Sequence, residues 1–385
     1  AEVLIDQRTL EKPVFFVSDK QFFRQIEVEK GARYSEKTEF LKEWEIYARG
    51  LNSKPDLEFL QEFESQFADP VLWNAVLADR RLSLGKKSSF VQDYCAQYSH
   101  EQTLSIVEQT ARSLIETFDR SKPDFVVGFI CVTLADYLSF LIARTRNIPF
   151  INLRPTRVGN FFVAGESVTE PSLYIRRAYE RLYQAAELPQ QVDERRYSEA
   201  IKIIESASVG STLYEGVIPA ESLKQKKRSR FSFGKRLIGV GQSVTKAIKV
   251  DLNNALSKNG YDNYYRPGLY WLFLEKFRKP RQLKQLNSIC SNWIQVRDQS
   301  FAFFPLHKEP EVTMLVYARH CLNQIEVIRN IARSLPVDMK LVVKEHPVAI
   351  GYRSKEYYER IVSIPNVVMV KPEIGSEEII PLSKL

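Results

Sequence analysis

Between Phe125 and Ala143 the chain is almost wholly apolar, and this stretch limits the possible folds more than any other. A run close to the ~20 residues that span a bilayer is either a membrane helix or the buried centre of an α/β unit. Asp136 lies near its middle, where an ionised carboxylate costs about 2.5–3.5 kcal/mol on the insertion scale, so the α/β reading is preferred. Residues 124–131 (DFVVGFIC) form a short β-rich run, and from Leu134 the apolar positions Leu134, Tyr137, Leu138, Leu141 and Ile142 take helical spacing. Arg144 and Arg146 suit a helix C-terminus, Asn147 ends it, and Pro149 prevents continuation. Residues 149–153 (PFINL) supply the next strand, which completes a strand, crossover helix and parallel strand.

Upstream, VFFV at 14–17 reads as a strand, and residues 36–100 are charged and helical in character, with breaks at Pro55 and Pro70. Ser99 and Gln102 form a capping box, after which Leu104, Val107, Ala111, Leu114, Ile115 and Phe118 hold one face of a long helix. Residues 171–209 carry two further helices, rich in Arg, Glu and Tyr, expected outside the sheet. The strand–helix rhythm returns at SFAFFPL (300–306), followed by a helix ended by Pro336, the strand KLVVK (340–344), a helix over 355–363 and the strand VVMV (367–370). Residues 376–378 open one more helix that Pro381 cuts short. The 385 residues suffice for two domains. The expected division is residues 1–210 for the first, 211–298 for a basic and aromatic helical insertion, and 299–385 for a second, partial one.

Charge narrows the partners. Fifty-five Lys and Arg against 47 Asp and Glu leave +8, which favours phosphates, nucleotides or anionic lipid and does not by itself imply nucleic acid, which is not expected as a partner. Most concentrated is KQKKRSRFSFGKR (224–236), with seven cations and no acid. As a surface loop it aids solubility; as a membrane contact, Lys226, Lys227, Arg228 and Arg230 attract anionic lipid while Phe231 and Phe233 insert at the interface. Cys95, Cys131, Cys290 and Cys321 are far apart, with no CxxC pair and no His at ligand spacing, so neither a disulfide framework nor a metal site is expected. Reduced thiols and the absence of a signal-peptide pattern point to the cytoplasm.

Chemistry is expected beyond the carboxyl ends of the strands, where open α/β sheets bind ligands. After KLVVK come Glu345, His346 and Pro347, then Gly351 and Arg353. His346 can donate to a phosphate oxygen, Pro347 fixes the turn, Arg353 can grip the same phosphate with paired donors, and Lys344 adds a cation. PLHKEPE (305–311) repeats the logic with His307, and Glu311 is a candidate base. His320 and His100 fall at helical positions and are expected to be structural. On the first domain, Asp136 either faces the crevice or caps neighbouring amides, while Arg154 and Arg157 follow a strand beside Gly159 and suit an acidic or phosphorylated acceptor. No GxGxxG follows a strand, and no Walker loop, GxSxG elbow or HExxH is present.

The segments PLHKEPE, NQIEVIRNIARSLP and KLVVKEHPVAIGYRSKEYYERIVSIPNVVMVKP together resemble bacterial capsular and surface-polysaccharide biosynthesis proteins with the GT-B glycosyltransferase fold. The 124–159 unit resembles the N-terminal half of the same proteins more loosely. The resemblance implies two Rossmann-type domains with parallel sheets facing across a cleft, the second incomplete, plus helical insertions. It implies a CMP- or UDP-linked nucleotide-sugar donor, no separate cofactor, and a polysaccharide or glycolipid acceptor. His346-Pro347 is similar to the pair that meets the donor phosphate in capsule Kdo transferases and bacterial sialyltransferases. Such proteins continue past a segment like EEIIPLS into another strand and a Gly-Thr and Glu-Ala turn that this sequence does not contain. The expectation is therefore a peripherally membrane-associated glycosyltransferase; a non-catalytic scaffold of polysaccharide assembly and a sugar-nucleotide epimerase are the alternatives.

Overall fold

The computed structural model describes residues 13–18, 20, 23–24, 38–83, 96–156, 161–170, 172–186, 194–208, 241–249, 251–252, 268–309 and 311–384. They form an α/β structure with several parallel strand pairs, compatible with Rossmann-like architecture. The whole 224–236 run and Arg157 lie outside the described residues.

Strand β1 (Val14–Val17) pairs in parallel with β2 (Glu39–Lys42). Helices α1 (Glu43–Leu51), α2 (Leu57–Ser65) and α3 (Leu72–Ala78) follow, then α4 (His100–Ser121). The expected capping box opens α4: the Gln102 N–H donates to Ser99 Oγ at 3.2 Å and the Ser99 N–H to Gln102 Oε1 at 3.0 Å. The apolar stretch resolves into β3 (Val126–Phe129) and the start of α5 (Leu134–Thr145), and β4 (Phe150–Pro155) returns parallel to β3 with Val126 opposite Phe150. Among the described residues no helix is long and apolar enough to cross a membrane.

This sheet is not wholly parallel, contrary to the reading from sequence. Strand β5 (Phe162–Gly165) runs antiparallel to β4, because the few residues between them reverse the chain and leave no room for a crossover. Gly128, Phe150 and Asn152 turn inward, and the Phe140 ring of α5 meets Phe150 edge-on at 5.3 Å. Val127, Phe129 and Phe162 are exposed. Ile106, Ala111, Leu134, Leu138 and Ile142 anchor the core between α4, α5 and the sheet; full burial of each large aliphatic contributes about 1.5–3 kcal/mol. A buried ion cluster sets the start of α5. Arg81 donates to both Glu43 oxygens at 2.7 Å and through Nε to Asp79 at 2.8 Å, and Asp79 accepts the Leu134 N–H at 3.0 Å. Burial alone would push the Asp79 carboxyl up, but the Arg81 charge and these hydrogen bonds hold it below its ordinary value. Helices α6 (Leu173–Ala186) and α7 (Glu194–Ser208) lie outside the core, as expected.

The second sheet is parallel, in the order β6 (Phe301–Pro305), β7 (Lys340–Lys344), β8 (Val367–Val370). It is covered on both sides, which is why KLVVK reads as a continuous apolar run between lysines. Leu341 and Val343 pack against α9 (Gln324–Ser334), α10 (Lys355–Val362) and Leu286 of α8 (Lys279–Ile289), whereas Val342 faces Val296, Phe301 and Ile379. Residues 279–298 therefore pack with the second sheet. In the other direction, Leu315 and Val316 lie in the first unit's core.

Candidate functional site

The site is built from the chain leaving the buried centre of β7. Glu345 is fully buried, and its carboxylate accepts from Arg353 Nη1 at 2.6 Å, the His346 N–H at 2.5 Å and the Tyr358 hydroxyl at 2.7 Å. Arg353, only 2% exposed, also donates through Nη2 to the His307 carbonyl and to Glu309 at 3.2 Å, with its guanidinium 5.2 Å from the Tyr357 ring centre. From the head of α9, Gln324 closes the arrangement: it accepts the His307 N–H at 2.8 Å and donates to the His307 carbonyl at 3.1 Å and to Glu309. The loops after β6 and β7 are thus fastened to each other by buried charges.

This changes the role read from sequence for Arg353. Its guanidinium lies inside the protein, spent on Glu345, Glu309 and the His307 carbonyl, and acts as the fastener of the turn; it does not offer paired donors to a ligand. Lys344 is likewise engaged. Two of its three donors go to the Ile374 carbonyl at 2.8 Å and Ser376 Oγ at 3.0 Å, and burial lowers its pKa while Glu377 and Glu378 pull it back.

His346 stands at the lip of the turn, half-buried. Its Nδ1 accepts the Val348 N–H at 3.2 Å, with Pro347 at the first position of the short 3₁₀ turn between them. An imidazole accepting at Nδ1 carries its proton on Nε2, which leaves Nε2–H as the ring's donor. Burial lowers the His346 pKa, Glu345 and Glu311 raise it, and Lys308 and Arg353 lower it further. Glu311 and Lys308, both half-buried, thus lie within electrostatic reach of the imidazole. His307 differs from expectation in the part it contributes: its backbone is clamped and its side chain is exposed.

From Glu311 the chain forms a π-helical turn (Thr313–Tyr317) and a 3₁₀ turn (Arg319–Cys321) that join the second sheet to the first unit. Arg154, at the end of β4, holds the Ser167 and Val168 carbonyls and stacks on Tyr317, its guanidinium 4.9 Å from the ring centre. Burial raises the pKa of the Tyr137 hydroxyl, and the nearby Arg319 charge lowers it. A cleft of about 210 Å³ opens here, lined by Asn74, Leu77, Tyr137, Leu315, Arg319 and His320 among others. His320 lies in the 3₁₀ turn, exposed in this cleft, and not within a helix as its spacing had implied. His100 stacks on Trp73 at 5.4 Å at the start of α4, a structural placement.

Asp136 takes the capping alternative. Its carboxylate accepts from the Thr133 hydroxyl at 2.7 Å and the Thr133 N–H at 3.3 Å, completing a capping box, and burial raises its pKa against those bonds. Nearby, Ile130 and Cys131 adopt φ of 61° and 28°, a left-handed turn at the carboxyl end of β3. The Cys131 thiol is buried against Asn152 at 3.4 Å, and burial raises its pKa far above the ordinary value, which removes it as a nucleophile at neutral pH. Among the described residues no group of three or more His, Cys, Asp or Glu is placed to hold a metal.

Sequence reasoning singled out His346, Pro347 and Glu311 and named Glu345 without a role; it assigned none to Glu309, Gln324, Tyr317 or Arg319. A carboxylate directly after an apolar central strand is the signal that could have marked Glu345 as buried and paired. Comparison with protein-family models, curated proteins and solved structures finds no match to this chain.

Proposed function

We propose that the protein is a GT-B-type glycosyltransferase that moves a sugar from a CMP- or UDP-linked donor to a growing surface polysaccharide or glycolipid. One observation carries this reading: His346, its Nδ1 accepting the Val348 N–H, held at the carboxyl edge of a parallel sheet by a buried carboxylate–arginine clamp, with Lys308 and Glu311 within electrostatic reach. Such an imidazole donates its Nε2–H to a phosphate oxygen without needing its own charge, and that hydrogen bond strengthens as the leaving phosphate gains negative charge. Lys308 supplies positive charge at the same lip. Glu311, within electrostatic reach of His346, is assigned as the general base for an acceptor hydroxyl. The first unit's Arg154 meets the chain leaving the second sheet at Tyr317. Location at the inner face of the plasma membrane, with Lys224–Arg236 as a lipid contact, goes with this reading; deleting those residues weakens co-sedimentation with anionic vesicles if it is right.

Isothermal titration of CMP, UDP and CDP tests the donor site on the wild-type chain and on His346→Ala. The expected result is binding that weakens at least about tenfold in the variant, the loss of one charge-assisted hydrogen bond. Equal affinity in both removes His346 from the donor site. A scaffold reading is favoured by one specific observation, that Arg353 and Lys344 are committed to internal partners and leave few cations for a phosphate. Product analysis with donor and acceptor separates the two, and turnover with donor alone marks an epimerase.

A further inference from the structure

Helix α6 leaves the first unit at the β5 edge, where Ser172 Oγ donates to the Ala164 carbonyl at 2.5 Å and the Leu173 N–H to Glu166 at 3.3 Å. Beyond this attachment almost every side chain of α6 whose burial is described is exposed. Yet the helix is strongly two-faced. At 100° per residue, Ile175, Tyr179, Leu182 and Tyr183 fall on one stripe, and these four are 52%, 65%, 68% and 63% exposed, with the two tyrosine rings stacked 6.1 Å apart. Ala178 and the exposed Tyr174 widen the stripe on the side of Leu182, so that Arg181 borders it there and Arg176 borders it beside Tyr183, whereas Glu180 and Arg177 fall on the opposite face. A fourteen-residue helix with no packed face is marginal in water, so the stripe is built for a partner.

The residue types identify that partner. An apolar stripe ending in tyrosines and bordered by arginines is the pattern of a helix lying in the plane of a lipid interface, with the rings at headgroup depth and the guanidinium groups reaching outward to phosphates. A second copy of the chain would place the bordering arginines of two helices together, and three arginines against one glutamate within α6 leave that contact without matching acids. Anionic lipid supplies the opposite charge. Exposed Phe161, just before β5, and Phe162, its first residue, 63% and 59% accessible, extend apolar surface from the edge where α6 departs.

We infer that α6 is an interfacial helix that seats the first unit on an anionic membrane surface through Ile175, Tyr179, Leu182 and Tyr183. This contact does not depend on the glycosyltransferase reading or on the 224–236 run, which stays intact in every variant of the test. The full chain is co-sedimented with phosphatidylcholine vesicles and with vesicles that also contain phosphatidylglycerol. The wild type is expected to bind the anionic vesicles preferentially and to be released by salt, Leu182→Asp with Tyr183→Asp to lose at least about tenfold in binding, and Arg176→Glu with Arg181→Glu to lose a comparable amount. Leu182→Trp, a mild change, keeps the test decisive if the aspartate pair fails to fold: its added fluorescence is quenched by brominated anionic lipid beyond the wild-type signal. Unchanged binding in the folded aspartate pair, or no quenching of the Leu182→Trp variant beyond that of the wild type, overturns the inference. So does a fall in oligomer size or in thermal stability of the aspartate pair with vesicle binding intact, since either shows the stripe covered by protein.

Discussion

At the residue scale, neighbouring residues in one turn do opposite jobs. Arg353 is buried among Glu345, Glu309, Tyr357 and the His307 carbonyl, while half-buried His346 spends its Nδ1 on the turn. Removing the guanidinium leaves a fully buried carboxylate without its cation, so Arg353→Ala is expected to cost about 3–5 kcal/mol of folding stability. His346→Ala removes a half-buried ring and a single turn hydrogen bond, and is expected to cost about 1 kcal/mol. Urea denaturation of both variants checks this. Arg353→Ala as stable as the wild type contradicts the clamp. The HP pair was legible because a histidine and proline after an apolar strand are conspicuous; the burial of Glu345 and Arg353 was not, since one charge beside another in sequence says nothing about water being absent.

At the scale of elements, the turn carrying His346 crosses close over the start of α8. Gly351 makes this possible: its φ is 92°, and a Cβ there would lie 3.0 Å from the Lys279 Cα. Gly351→Ala combines left-handed backbone strain with a clash against main chain, and is expected to destabilise by roughly 2–3 kcal/mol. Thermal unfolding measures it, and a change below about 0.5 kcal/mol, the range of neutral surface substitutions, contradicts the close crossing. The β3–α5–β4 unit and the β6–β8 strands were readable because apolar runs, caps and prolines agreed with one another. Strands β2 and β5 were not. EFLK pairs with β1 while carrying two charged residues, so its four residues show no apolar run, and β5 exists because of a short reversal after β4 whose outcome depends on tertiary pairing.

At the scale of the whole molecule, the chain beyond β6 reaches back to the first unit. Leu315 and Val316 are 6% and 4% exposed within its core, and Arg154 closes on Tyr317. The seam that forms the Arg319–His320 cleft is therefore a packed joint. Leu315→Ala is expected to cost about 2–4 kcal/mol and to lower the unfolding midpoints of both units, followed through Trp44 on one side and Trp293 on the other. A variant that shifts only the Trp293 transition contradicts the joint. None of this was legible in the linear sequence, where His320 fell at a helical position and nothing marked Leu315 and Val316 for a distant core.

Nuclear magnetic resonance of the histidine imidazoles, titrated with pH and then with UDP or CMP, tests the central assignment most directly. With four histidines in the chain, single substitutions assign each signal. The account predicts that His346 is the Nε2–H tautomer, that it titrates below the ordinary value near 6.5, and that nucleotide shifts its Nε2 signal and raises its pKa as phosphate takes the place of water. Nucleotide that binds while the His346 ring signals and titration stay unchanged would contradict it.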